Sequence, residues 1–283
     1  MPARILSGTE AAAVWRAEIA GRVGSLAADG RRVGLATLLV GDDAASQSYV
    51  RSKHRAAEAV GMRSFDRRLP ATASQTEIGD AVGELNADPE VDGFIVQLPL
   101  PRGLDPARVV ELIAPGKDAD GLHPCSLGRL AQEEPAPRPA TPSGILRLLD
   151  HYEIPTRGKR VVIVGRSTLV GRPLSIMMSG RERNATVTVA HTGTGDLAVV
   201  TREAEILVVA AGRPGLIGPE HVAPGVVVID VGTTHVEGRL HGDVRFDEVA
   251  AVASWISPVP GGIGPMTVAG LLANTVWLAD QQA

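Results

Sequence analysis

Between Lys159 and Met178 the chain reads KRVVIVGRSTLVGRPLSIMM, and this order of residue types leaves few folds open. Val161 to Val164 are an unbroken apolar run, the pattern of a strand buried on both faces. A glycine turn follows, and an amphipathic pattern opening near Val170, with Pro173 in its first turn, predicts a helix. Strand, tight turn and helix in that order make half of a nucleotide-binding βαβ unit. Gly165 stands where the chain must turn sharply, and Gly171 would let backbone approach a ligand over the helix N-terminus, where free N–H groups attract phosphate. Five residues separate the two glycines, so the stretch is neither GxGxxG nor the P-loop. Taken alone it is equally compatible with a parallel-strand turn that binds nothing.

The rest of the chain narrows the class. Its 283 residues, 44% hydrophobic with 32 glycines and 20 prolines, suit a loop-rich α/β protein of one large or two ordinary domains. A net charge of -4 offers no electrostatic footprint for nucleic acid or an anionic membrane. No apolar run nears the roughly 20 residues of a membrane span, and the N-terminus lacks a signal-peptide core. One cysteine, Cys125, excludes an intramolecular disulfide and fits a reducing compartment, so a cytoplasmic protein is expected. No His, Cys and carboxylate cluster has metal-ligand spacing. Of the 28 basic residues only Lys53, Lys117 and Lys159 are lysines. Arginine stays protonated whereas lysine can lose its proton, so each remaining lysine is a candidate for chemistry that arginine cannot perform.

In chain order, Ser7-Gly8-Thr9-Glu10 reads as a capping box opening a helix to about Gly30. A strand is expected over 33–40, a helix over 44–60, strands over 63–69 and 91–98, and a short helix from Asp105 to Ile113. Tyr49 and Lys53, at i and i+4, share one face of the second helix. Gln97 falls at the carboxyl end of a parallel strand, the edge where ligands bind in open α/β sheets. Asp120 lies in the tight loop Lys117-Asp118-Ala119-Asp120-Gly121. The proline-rich stretch AQEEPAPRPATP, residues 131–142, reads as a linker. Beyond the nucleotide-type stretch come strands over 186–190, 206–210 and 226–231, a helix over 197–204, a small hairpin, and a last helix over 268–279.

Six segments, SQSYVRSK, VQLPLP, KDADG, GRSTLVGRP, VIDVG and PVPGGIGPMT, stand in an order and at spacings that resemble the bifunctional methylenetetrahydrofolate dehydrogenase/methenyltetrahydrofolate cyclohydrolase family over nearly the whole chain. The resemblance implies two α/β domains with a cleft between them: a catalytic, folate-binding domain over 1–140 joined by the C-terminal helix 266–283, and a Rossmann-like NADP-binding domain over 141–265. It implies Lys53 as the catalytic lysine, with Tyr49 beside it, Gln97 bonded to it and Asp120 holding the pterin. Val96, Leu98, Pro260, Gly261, Gly262, Ile263 and Gly264 would line the folate site. Gly165, Arg166, Ser167, Gly171, Thr192, Gly232 and Thr233 would contact the cofactor. No carboxylate follows the strand ending at Ala190, and Arg166 could pair with a 2′-phosphate, so NADP is expected over NAD. Thr192 and Gly193 depart from the family's usual serine and basic residue. Tetrahydrofolate derivatives are the implied substrates and a homodimer the implied assembly, with no nucleic acid, membrane or metal partner.

Overall fold

The computed structural model describes residues 2–236 and 238–282. The chain forms two compact units. One joins the segment ending at Ala13 to Thr141–Thr267, and the other joins Val14–Ala140 to the segment from Val268 onward.

The second of these contains strands β2 (Gly34–Val40), β3 (Arg63–Leu69) and β4 (Gly93–Val96), all parallel in the order β3-β2-β4. Strand β2, GLATLLV, is buried at every position, as expected of a central strand without polar alternation. At the edge, β3 exposes Asp66, Arg67 and Arg68, charges that discourage pairing with another strand. One face of the sheet packs on α3 (Gln75–Ala87), whose Ile78, Ala81, Val82 and Leu85 recur at helical spacing, and on Val109 of α4 (Pro106–Leu112). Ser74 and Glu77 form a complete capping box at the start of α3. Helix α2 (Ala44–Ala59) opens on Asp43, whose carboxylate accepts the Ser46 N–H at 2.8 Å. A further helix, α5 (Pro124–Ala131), lies in a stretch where sequence periodicity gave no signal.

The other unit is a six-stranded parallel sheet in the order β1-β11-β8-β7-β5-β6. Its strands are β1 (Arg4–Ile5), β5 (Arg160–Val164), β6 (Thr186–Ala190), β7 (Ile206–Val209), β8 (Val227–Asp230) and β11 (Trp255–Ile256). The chain moves from β5 outward to β6, then crosses back to β7 on the other side of β5. That reversal creates a crevice beyond the carboxyl ends of β5 and β7, the usual ligand position in an open parallel sheet. Strands β9 (Thr234–Val236) and β10 (Arg239–His241) form the expected antiparallel hairpin. Helices α6 (Ala140–His151), α7 (Gly171–Ser179), α8 (Leu197–Thr201) and α9 (Phe246–Ala250) complete the unit.

Three differences from the sequence reading have identifiable causes. Residues 2–13 cluster with the six-stranded unit rather than with residues 14–140, because β1 pairs in parallel with β11 and the Arg4 guanidinium stacks 3.9 Å from the centre of the Trp255 ring. At helix α1 (Gly8–Ala28) only half of the capping box forms: Ser7 Oγ accepts the Glu10 N–H, while the Ser7 N–H donates to Tyr152 Oη at 3.0 Å instead of to Glu10. The last helix, α10, runs over Ile263–Gln281, so Ile263 and Gly264, read as loop, are its first residues.

Candidate active site

Helix α2 presents its sheet-facing stripe through Ser46, Val50 and Ala57, which are buried. Lys53 emerges beside that stripe, and its Nζ donates to Gln97 Oε1 at 3.1 Å. The Gln97 amide is itself aimed: its Nε2 donates to the Leu98 carbonyl at 2.6 Å, which turns the oxygen toward the lysine. The Gln97 N–H in turn bonds to Leu38 O, extending the β2–β4 ladder to the residue that holds Lys53. Lys53 keeps part of its surface open but is surrounded by protein on most sides. Burial drives its pKa below the ordinary lysine value, outweighing the attraction of Asp120. Asp120 is shifted the opposite way: burial and Asp118 raise its pKa, and Lys53 lowers it. Each shift narrows the gap between a lysine and a carboxyl group, the environment expected where protons change hands. Tyr49, one turn before Lys53, is 37% exposed.

The other two lysines are used otherwise. Lys117 Nζ bonds to the carbonyls of Leu85 and Asp88, closing the end of α3. Lys159 pairs with Glu205 at 2.9 Å. Of the three, only Lys53 faces a glutamine and a distant carboxylate rather than a structural partner.

The two aspartates of the Lys117–Gly121 loop divide their work. Asp118 is buried and accepts the N–H groups of Leu122 and His123 and the Ser126 hydroxyl, so it braces the loop. The carboxylate of Asp120 accepts no hydrogen bond from the described residues and remains free for a ligand. From α10, Asn274 donates to the carbonyls of Ala119 and Arg138 and accepts the Arg138 N–H, and the Ala140 N–H bonds to Asp120 O. Sequence inspection missed both Asp118 and Asn274. The first was masked by its neighbour Asp120, and the second acts from more than 150 residues away. Val96, expected to line the site, is 4% exposed and packs in the core shared with α3.

In the other unit, Gly165 adopts φ +125°, and a Cβ there would meet Ala210 O at 2.2 Å. A Cβ on Gly171 would meet Gly165 O at 2.1 Å, so both glycines are required by the close passage of the backbone through the turn. Ser167 Oγ accepts the Val170 N–H, ordering the entry to α7. Arg166 is exposed, with no hydrogen bond or ion pair among the described residues. After β6, His191 Nδ1 accepts the Gly193 N–H and Thr194 Oγ1 accepts the His191 N–H, leaving Thr192 exposed. The nearest following carboxylate, Asp196, is engaged as the cap of α8. Gly232 is fixed by its N–H to Asp230, with Thr233 exposed beside it. A turn bounded by two glycines that cannot carry side chains, a free guanidinium and an acid-free loop after β6 fit a dinucleotide with a 2′-phosphate. Pro260, Gly261 and Gly262 belong to this same unit, where Gly261 O accepts the Thr9 N–H.

Among the described residues no group of three or more His, Cys, Asp or Glu side chains could hold a metal ion, and no helix is long and apolar enough to cross a membrane. A switch-point sheet with a glycine turn, and a second α/β unit carrying a desolvated lysine, define a two-unit dinucleotide-dependent enzyme class. Within that class the chain belongs to the tetrahydrofolate dehydrogenase/cyclohydrolase family: residues 6–120 match its catalytic domain and residues 139–283 its NAD(P)-binding domain. The chain is 51% identical over 284 residues to the bifunctional protein FolD of Geobacillus thermodenitrificans, covering 100% of this chain and 99% of that relative. Its fold is similar to the crystal structure of the bifunctional enzyme FolD, methylenetetrahydrofolate dehydrogenase/cyclohydrolase, from Campylobacter jejuni, with TM-score 0.95, 41% identity and 99% of each chain covered. It is also similar to the Trypanosoma brucei FolD structure complexed with NADP cofactor and inhibitor, with TM-score 0.94, 39% identity, and 100% of this chain and 99% of that one covered.

Proposed function

We propose that this protein oxidises 5,10-methylenetetrahydrofolate to the 5,10-methenyl compound with NADP, and hydrolyses that product to 10-formyltetrahydrofolate. The observation that carries the reading is Lys53 held by Gln97, with its pKa depressed and Asp120 nearby, in a chain of this family. Bound NADP supplies the hydride acceptor. Arg166 would pair with its 2′-phosphate, Gly165, Ser167 and Gly171 would admit its pyrophosphate, and Thr192, Gly232 and Thr233 would flank it.

Asp120 holds the pterin edge, whose paired N–H donors favour the ionised carboxylate and so offset the upward pull of burial on its pKa. Gln97 keeps Lys53 Nζ at a set position, and Tyr49 and Leu98 of the same unit contribute to the folate site. In the hydrolytic step neutral Lys53 accepts a proton from the water that attacks the methenyl carbon. Addition of the water oxygen makes a hydroxyl-bearing tetrahedral carbon; as its remaining O–H proton is passed to N5, the carbon–N5 bond breaks and the carbonyl forms, which leaves the formyl group on N10. Folate binding by residues 14–140, cofactor binding by residues 141–265, a homodimer through the nucleotide-binding unit and a cytoplasmic location are parts of the same proposal.

An absorbance assay with methylenetetrahydrofolate and either NADP or NAD tests it by following reduced cofactor and methenyl product separately. Formation of both activities with NADP is expected, whereas absence of reduced cofactor would overturn the reading.

A further inference from the structure

Helix α2 carries a second polar residue on its sheet-facing side, immediately after Lys53. His54 Nε2 lies 2.9 Å from Thr37 Oγ1 on the central strand β2, and its Nδ1 is hydrogen-bonded to Ser64 Oγ on the edge strand β3. Thr37 is fully buried. Consecutive helical residues diverge by about 100° around the axis. Lys53 and His54 therefore flank the buried Val50–Ala57 stripe on opposite sides, Lys53 reaching toward Gln97 beyond β4 and His54 reaching toward β2 and β3. With the strands in the order β3-β2-β4, these two anchors grip the sheet on either side of its centre. A helix held by apolar packing alone can rotate or slide by fractions of an ångström, whereas two directional hydrogen bonds to different strands fix both its rotation and its height.

We infer that His54 is a positioning residue for Lys53: by bolting α2 to Thr37 and Ser64 it sets the rotation that delivers Lys53 Nζ to Gln97 and keeps it desolvated. The inference rests on the proposed catalytic role of Lys53. Burial holds the imidazole below the usual histidine pKa; Asp66, at 3.9 Å, and Glu58 oppose that shift, and Arg68 and Lys53 add to it. A neutral ring accepts at one nitrogen and donates at the other, and a hydroxyl partner can fill either role, so both bonds are satisfied at once.

The chain has only three lysines, which makes their titration by NMR of 13Cε-labelled lysine readable site by site. In His54→Leu the Lys53 titration should move upward, toward the free-lysine value, by on the order of one pH unit. Lys117 and Lys159 should stay where they are. Cyclohydrolase kcat should fall on the order of ten- to a hundredfold, with KM for NADP unchanged. Thr37→Val, which keeps the packed shape and removes one bond, should move both readouts the same way by less. A fall in melting temperature with the Lys53 titration unmoved in both variants would show a purely structural histidine and overturn the inference. A shifted Lys53 titration with unchanged kcat would leave the positioning role intact and instead remove Lys53 from the chemistry.

Discussion

Lys53 and Arg166 show opposite uses of positive charge. Lys53 sits where burial defeats the attraction of Asp120, so its proton is less firmly held than in water. Lys53→Arg keeps a charge but not a removable proton, and should abolish methenyltetrahydrofolate hydrolysis while circular dichroism and the melting temperature remain near wild type. Hydrolysis at the wild-type rate would sink the assignment. Arg166 is exposed and makes no side-chain hydrogen bond or ion pair among the described residues, so its removal breaks none of theirs. One charge-assisted pair with a 2′-phosphate contributes about 1.5 to 3 kcal/mol, a preference on the order of ten- to a hundredfold. Arg166→Ala should therefore raise KM for NADP by that factor and leave KM for NAD nearly unchanged. Equal loss with both cofactors would place Arg166 at the pyrophosphate instead.

At the scale of elements, the loops following β7 and β8 are tied together by two buried carboxylates. Asp230 accepts the N–H groups of Gly232, Asp243 and Val244, and Asp243 accepts those of Ala211 and Gly212. Burial nevertheless raises the Asp230 pKa from 3.8 to about 6. The folded state then binds more protons than the unfolded state between those two values. Stability is gained below the unfolded value and lost as pH rises through the folded one. Relative to Asp230→Asn, the wild type should lose on the order of 3 kcal/mol between about pH 4 and about pH 7 in denaturant titrations. Parallel pH curves for the two proteins would show that the three N–H donors, rather than desolvation, control this carboxyl group.

For the molecule as a whole, the candidate folate-site residues on α2, at the end of β4 and in the 117–121 loop belong to one compact unit, and Gly165, Arg166 and Gly171 to the other. A ligand that binds only the folded state stabilises by mass action, so NADP at a hundred times its Kd should add about 2.7 kcal/mol. This increment should be the same in Lys53→Arg, because that residue lies in the unit without the glycine turn. Loss of the increment in Lys53→Arg would mean that cofactor binding depends on the lysine as well.

Local pattern was enough to locate most of the strands and helices, since unbroken apolar runs such as Val161–Val164 and periodic faces such as that of α3 carry their own burial preference. Turn chemistry singled out the glycine turn after β5, and scarcity alone drew attention to the three lysines. What residue order could not decide was how far each lysine is desolvated: burial lowers the pKa of Lys53 and of Lys117, and it depends on protein gathered from distant parts of the chain. By scarcity alone Lys117 and Lys159 look equivalent to Lys53; the resemblance singles out Lys53, and the fold gives the other two their partners, the end of α3 and Glu205. The same holds for residues 2–13, whose two-residue strand has no periodicity to read and is defined only by the edge of the sheet it joins, and for Asn274 and His54, whose partners become neighbours only on folding. Secondary structure follows from interactions a few residues long, whereas desolvation and hydrogen-bond partnership are properties of the packed environment.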